Sequence, residues 1–329
     1  MDNIKIGVVG IGHLGSIHTK LWKSNANCTL SGIYDLDKER NLKISEEFSC
    51  IPFDSIEELI SNSNAVTIAV PTSNHFEVAI KCIKSGIHCF IEKPVTSTYN
   101  EALELIELSK KHEVVLQVGH VERFNPALAS LENYELNPRF IEAHRLSQFK
   151  PRAIDVSVIH DLMIHDIDIM LWLIKSKVSK IDANGVGILT DNPDIANARI
   201  TFENGAVANL TASRISARPM RKMRIFQKNS YFSIDLGNQN VEVFRIVSDS
   251  DQNDSTALAT MLGSIDQGLT NKKIIYEKPV ISEKNAIAEE QKSFIDSIIK
   301  NAPVAVSVEE AAEALRIAEL INNQITEFI

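Results

Sequence analysis

Residues 158–173 spell VIHDLMIHDIDIMLWL, which sets two histidines and three aspartates among isoleucine, leucine, methionine and tryptophan. A carboxylate buried in such company costs several kcal/mol unless it is paired. On a helix, residues three and four apart share a face, so Asp161, His165, Asp168 and Trp172 fall on one stripe and His160 lies off it. A carboxylate one turn from an imidazole fixes its tautomer, orients the ring and raises its basicity, which suits His165 to take a proton from a hydroxyl. The plainer alternative has Asp161 or Asp168 capping loops and His165 as a satisfied core histidine. Two histidines five apart cannot form the i, i+4 pair of a zinc protease helix, and Asp161, His165 and Asp168 alone suit zinc poorly, so no metal site is expected.

A second group lies at the other end of the chain. Gly10-Ile11-Gly12-His13-Leu14-Gly15 follows an apolar run and opens a helical pattern, and Asp35 stands twenty residues beyond Gly15. In that context the glycines allow a tight turn and close approach of backbone to a pyrophosphate, which sits on the positive end of the helix. Asp35 would accept hydrogen bonds from an adenosine ribose and repel a 2′-phosphate, so NAD is favoured over NADP, although Lys38 and Arg40 are close enough in sequence to keep NADP open. Ligands of parallel sheets lie outside the carboxyl ends of the strands, which adds Pro71, Thr72, His75, Glu92 and Lys93 as cofactor candidates. Lys93 either aims its ammonium into that crevice or is a solvated lysine paired with Glu92.

The elements that must position these groups show two grammars. Up to about residue 120, short β-branched runs at 4–9, 29–34, 65–70, 87–91 and 114–118 alternate with helical patterns near 14–24, 38–48, 75–85 and 98–112, the order of a doubly wound parallel sheet. Asp54-x-x-Glu57, Thr98-x-x-Glu101 and Ser307-x-x-Glu310 have the spacing of capping boxes. Farther on, strand-like stretches at 139–147, 178–190, 197–202, 206–214, 221–227 and 230–236 succeed one another around a helix at 157–174, which predicts a separate mixed sheet. Helices at 284–300 and 308–325 close the chain, and residues 248–256 have the composition of a polar loop. The expectation is an α/β protein: a Rossmann dinucleotide-binding domain over 1–120, then an α+β substrate-binding and oligomerisation domain with a large open mixed sheet over 121–329, its last helices packing back on the first.

The 329 residues are 44% hydrophobic and 23% charged, as in a globular protein. A formal charge of -9 argues against nucleic acid as partner. There is no signal-peptide pattern and no run of about 18 apolar residues for a membrane span, so a cytoplasmic location is expected. Cys28, Cys50, Cys82 and Cys89 contain no C-x-x-C pair and suit reduced packing roles.

Taken together, the glycine motif, Asp35, Pro71-Thr72 with His75, Gly86-Ile87-His88 leading to Glu92-Lys93-Pro94, Asp161 four before His165, and Arg123 and Pro126 at the domain join resemble the Gfo/Idh/MocA oxidoreductases. Pro303-Val304 with Ser307 extends the similarity almost to the end. The resemblance implies NAD(H) or NADP(H), Lys93 contacting substrate and nicotinamide, His165 as acid–base residue beside Asp161, a substrate cleft between domains, and assembly through the open face of the second sheet as a homodimer or homotetramer. It also implies a cis bond at Lys93-Pro94. Relatives often carry glycine where Met163 stands, which predicts a reshaped pocket beside His165.

A narrower similarity, in Gly119-His120-Val121-Glu122-Arg123-Phe124-Asn125-Pro126 and in residues 161–168, is to the branch that oxidises the 3-hydroxyl of UDP-N-acetylglucosamine ahead of an aminotransferase. A diphosphate needs cations, and Arg123, Arg145, Lys150 and Arg152 are the candidates near substrate. Arg214, Arg218, Arg221, Lys222 and Arg224 form a second basic cluster, which suits solvated sheet positions or a subunit contact as well as phosphate. A free sugar, inositol or sugar acid remains open as substrate, as does a non-catalytic NAD-binding sensor.

Overall fold

β-branched residues crowd the first strands because little of them meets water. β1 (Ile4–Val9), β3 (Ala65–Ile68), β4 (His88–Glu92) and β5 (Leu116–Gly119) are buried over most of their length, as in a parallel sheet covered by crossover helices. With β2 (Cys28–Tyr34) they form a five-stranded parallel sheet in the order β2-β1-β3-β4-β5. The helices between them are α1 (His13–Ser24), α2 (Lys38–Phe48), α3 (Ile56–Ser61), α4 (His75–Lys84) and α5 (Tyr99–Lys111). The computed structural model describes residues 3–149, 156–248, 258–267 and 270–326, with the backbone alone at 248, 258–267, 270 and 271.

Local chemistry sets the helix starts. Thr98 and Glu101 make both hydrogen bonds of a capping box at α5, and Ser307 and Glu310 do the same near the end of the chain. At α3 the box slides one residue from the expected Asp54–Glu57: the Ser55 hydroxyl accepts from Glu58 N–H at 3.2 Å, and the Glu58 carboxylate accepts from Asp54 N–H at 3.2 Å. Ile56, Leu59 and Ile60 must face inward, which makes Ser55 the last residue outside the helix.

The chain divides into two units, residues 1–121 with 285–316 and residues 122–284 with 317–329. α8 (Ala286–Lys300) therefore belongs with the first sheet. Its Phe294 and Ile295 join Ile6, Val8, Trp22, Ile33 and Phe90 in one buried cluster, where a fully buried phenylalanine contributes about 1.5–3 kcal/mol. α9 (Val308–Thr326) starts in the first unit and ends in the second.

The second unit contains α6 (Pro126–Ala129), β6 (Phe140–Leu146), a π-helical turn at Ile159–Met163, α7 (Ile164–Ile174), β7 (Val178–Val186), β8 (Ile195–Phe202), β9 (Val207–Ser213), β10 (Met220–Gln227), β11 (Ser230–Asp235), β12 (Asn240–Ser248), β13 (Leu258–Gln267) and β14 (Thr270–Lys278). The nine described strands make one mixed sheet in the order β13-β14-β12-β11-β10-β6-β9-β8-β7, with β6 and β9 parallel and the other pairs antiparallel. Inward positions such as Ile141, Ala143, Leu210, Ile225 and Ile234 are buried, and α7 packs on β6 and β9. The opposite positions carry a cross-strand ladder of rings, Phe140–Phe226–Tyr231–Phe244–Tyr276, with centroids 4.8–5.6 Å apart. β12, β13 and β14 extend the sheet beyond the strands expected from periodicity, and the polar loop expected at 248–256 lies outside the described residues except for the backbone of Ser248.

All four cysteines are free, and burial pushes the Cys28 thiol up to about 11, as befits packing thiols. No helix among the described residues is long and apolar enough to cross a membrane.

Burial also depresses the pKa of three histidines, His75, His88 and His160, below the ordinary 6.5. The unfolded chain therefore takes up these protons first, so stability is full above about pH 6.5 and falls as pH drops toward the lowered values. Urea midpoints at about pH 7.5 and about pH 5.5 should show that loss. His88 Nδ1 accepts from Val115 N–H at 2.9 Å, so His88→Asn, which keeps an acceptor and cannot charge, should reduce the pH dependence.

Candidate active site

Between Val9 and His13 the chain turns from strand into helix. Gly10 does this at φ +81°, its amide donating to Tyr34 O at 2.8 Å. A Cβ on Gly15 would stand 1.8 Å from Gly10 O, so that glycine is required by packing. Gly12 is different: its φ of -62° suits any residue, and nothing lies within 4 Å of where its Cβ would be. Glycine there answers to no neighbouring side chain among the described residues and leaves bare backbone before the amides of α1, the arrangement that admits a pyrophosphate. His13 and Leu14 are exposed on the first turn of α1. Asp35 braces the loop, its two oxygens accepting from Ile11 N–H at 2.8 Å and Asp37 N–H at 2.9 Å, while Arg40 approaches Asp35 to 3.5 Å and Asp37 to 3.1 Å.

Two neighbouring strand ends carry the next candidates. After β3, Pro71 is exposed and Thr72 half-buried. His75 is buried between the end of β3 and the turn after β4, with Nδ1 2.8 Å from Pro94 O and Nε2 2.9 Å from Val70 O; its neutral ring donates to one of these carbonyls at a time. Glu92 is buried at the end of β4, with Oε1 2.8 Å from His18 Nε2 and Oε2 accepting from Lys93 N–H at 3.2 Å. Burial works against its charge, but the interaction with His18, then the charge of Lys93, hold its pKa below the usual carboxylate range. Lys93 itself is half-buried, and its bond to Pro94 is cis, in line with the resemblance.

The helix of the second unit is gripped by two arginines. Asp161 precedes the end of the π turn and His165 follows it, both half-buried. Met163 is fully buried. Asp166 receives Arg145 Nε and Nη2, each at 2.9 Å, and Arg145 Nη1 reaches Glu122 at 2.8 Å. Asp168 receives Arg123 Nε at 2.8 Å and Nη2 at 2.6 Å, and the same guanidinium lies 5.8 Å from the centre of the Trp172 ring. Burial raises the Asp166 pKa despite Arg145, whereas in Glu122 the charges of Arg145 and Arg221 outweigh burial and lower it. Arg123 and Arg145, expected as substrate contacts, have their guanidinium groups committed to carboxylates inside the protein.

The second basic cluster is likewise paired. Arg214 meets Asp194 at 3.5 Å, Arg221 Glu122 at 3.2 Å, Lys222 Asp235 at 3.5 Å and Arg224 Glu142 at 3.2 Å, while Arg218 is exposed. Lys150 and Arg152 lie outside the described residues. Among those described, no group of three or more His, Cys, Asp or Glu could hold a metal ion.

Comparison with known proteins accounts for both units. Residues 4–120 match the oxidoreductase family with an NAD-binding Rossmann fold, and residues 132–231 match the GFO/IDH/MocA C-terminal domain. The chain is 36% identical over 305 residues to UDP-N-acetylglucosamine 3-dehydrogenase of Acidithiobacillus ferrooxidans, covering 92% of this chain and 91% of that protein. The chain belongs to the Gfo/Idh/MocA oxidoreductases. A solved structure of the Acidithiobacillus enzyme superposes with a TM-score of 0.89 at 34% identity, covering 100% of this chain and 99% of that one. Myo-inositol 2-dehydrogenase of Thermotoga maritima is 26% identical over 95% of this chain and 93% of its own.

In this Gfo/Idh/MocA chain the open ground at Gly12 fits the family's dinucleotide. Gly10, Gly12 and the first-turn amides of α1 would receive its pyrophosphate, with Asp35 at the ribose end. Four residues with clear structural work, His18, Glu122, Asp166 and Gln291, carried no role in the sequence analysis. Asp166 had a usable signal, since an aspartate between Ile164 and Ile167 on an apolar helix requires a partner. His18 had none, because Glu92 lies 74 residues away.

The glycines separate folding from cofactor binding. Gly12→Ala should leave the thermal midpoint near wild type and weaken NAD binding measured by fluorescence titration, whereas Gly15→Ala should lower both.

Proposed function

We propose that this oxidoreductase oxidises the 3-hydroxyl of UDP-N-acetylglucosamine with NAD. The observation that carries the reading is the end-to-end match to the enzyme of that name, 36% identical over 92% of this chain. The bound nicotinamide supplies the hydride acceptor. His165 removes the hydroxyl proton and Asp161 orients it; the Lys93 ammonium stabilises the developing alkoxide. Asp35 disfavours a 2′-phosphate, which makes NAD the cofactor rather than NADP. With Arg123 and Arg145 internally paired, the substrate diphosphate falls to Lys150, Arg152 and the exposed Arg218. The product would be a ketone of the kind an aminotransferase consumes.

The similarity to myo-inositol 2-dehydrogenase favours a second reading, a free cyclitol or sugar as substrate. UDP alone separates the two, since it should inhibit a nucleotide-sugar site and leave a cyclitol site untouched.

Reduced-cofactor absorbance with UDP-N-acetylglucosamine, other UDP-sugars, free sugars and inositols, with NAD and NADP in parallel, tests the proposal. Turnover should appear with UDP-N-acetylglucosamine and NAD. His165→Ala and Lys93→Ala should each lower kcat by about 10²- to 10⁴-fold while still binding NAD; full activity in either would remove that residue from the mechanism. The aromatic ladder supports self-association through the open sheet face as a homodimer or homotetramer. Phe226→Asp should then lower the sedimenting mass.

A further inference from the structure

The residue before Lys93 is held from within the first unit by a chain of hydrogen bonds. His18, on α1 and 0% exposed, sets Nε2 2.8 Å from Glu92 Oε1. Gln291, buried on α8, directs its side-chain nitrogen to His18 Nδ1 at 3.1 Å and to the His18 carbonyl oxygen at 3.2 Å. A carbonyl only accepts, so the group facing it is the amide NH2, and the same group donates to Nδ1. Nδ1 therefore carries no proton, and the neutral ring gives the proton on Nε2 to Glu92.

The other Glu92 oxygen accepts from Lys93 N–H at 3.2 Å. Phe90 packs on the His18 ring at 5.2 Å between centroids, and Gly119, paired with Glu92 across the sheet, leaves the room required: a Cβ there would stand 3.1 Å from Glu92 Oε2. On the far side of Lys93, Pro94 O lies 2.8 Å from His75 Nδ1.

We propose that His18 is a positioning residue for Lys93: through Glu92 it fixes the backbone that presents the lysine, with its tautomer set by Gln291. This rests on the reading of Lys93 as an acting residue. Without the Nε2–H donor, the Glu92 carboxylate turns toward the nearby cation, the Lys93 ammonium, and ties it down.

Competitive acetylation of Lys93 across pH, read by mass spectrometry, tests the relay without any substrate. In His18→Leu, Lys93 should label about threefold more slowly at a given pH below its pKa, equivalent to a rise of about half a pKa unit. His18→Gln, which returns an N–H donor at similar reach, should restore the wild-type rate. With substrate, kcat should fall about 10- to 100-fold in His18→Leu and recover in His18→Gln. Should His18→Leu fail to fold by circular dichroism, His18→Met, which fills similar volume and has no N–H donor, takes its part with the same expected slowing. Unchanged Lys93 labelling in the folded variant overturns the proposal. Turnover surviving Lys93→Ala overturns the role of Lys93 instead and leaves the labelling result standing, so the two failures are distinguishable.

Discussion

The fork between Arg145 and Asp166 is the interaction on which the second unit turns. Both groups are almost fully buried, and desolvating them is costly. Two parallel N–H···O bonds, plus a third to Glu122, offset that cost and do what apolar packing cannot: they fix the rotation of a helix about its own axis. Asp166 and Asp168 are two residues apart, about 200° around the helix, so Arg145 and Arg123 hold it from nearly opposite sides. Breaking either pair by removing one partner would cost about 3–5 kcal/mol, because the other charge would stay buried. His165 stands next to Asp166, so its direction is inherited from these forks.

A comparable logic runs through the first unit with neutral and charged groups mixed. Asp35 clamps the glycine turn through Ile11 N–H, His75 lies between carbonyls at two strand ends, and Glu92 receives both a side chain and a backbone amide. These contacts take up buried polar capacity that would otherwise oppose folding. Gly12 faces outward, with open space where a side chain would stand.

Much of this was legible from local pattern. The Rossmann strands alternate with helices at spacings that periodicity detects, and a parallel sheet follows from that grammar. β13 and β14 were not legible, because LATMLGSIDQ and TNKKIIYEK lack sustained apolar alternation and take their place through cross-strand pairing at one end of the sheet. β12 does alternate, with Val241 and Val243 inward, and was hidden by the polar stretch that follows. At the site, motifs gave residue types but not partners. Arg123 with Asp168 was a readable pairing, since a carboxylate in the apolar run around Asp168 requires a cation. Arg145, with Lys150 and Arg152 leading into the helix that carries His165, reads from sequence as a substrate contact, yet its inward place on β6 commits it to Asp166. Strand parity, one residue in and the next out, decides such cases.

The π-helical turn at Ile159–Met163 has a different kind of consequence. A π turn absorbs one residue more than an α turn over the same rise, so it acts as slack in the backbone just ahead of the gripped helix. A segment entering the turn can change length by a residue and be accommodated there, while everything after Ile164 keeps its phase. Such a turn lets what comes before the helix vary without changing the direction of the His165 imidazole that follows.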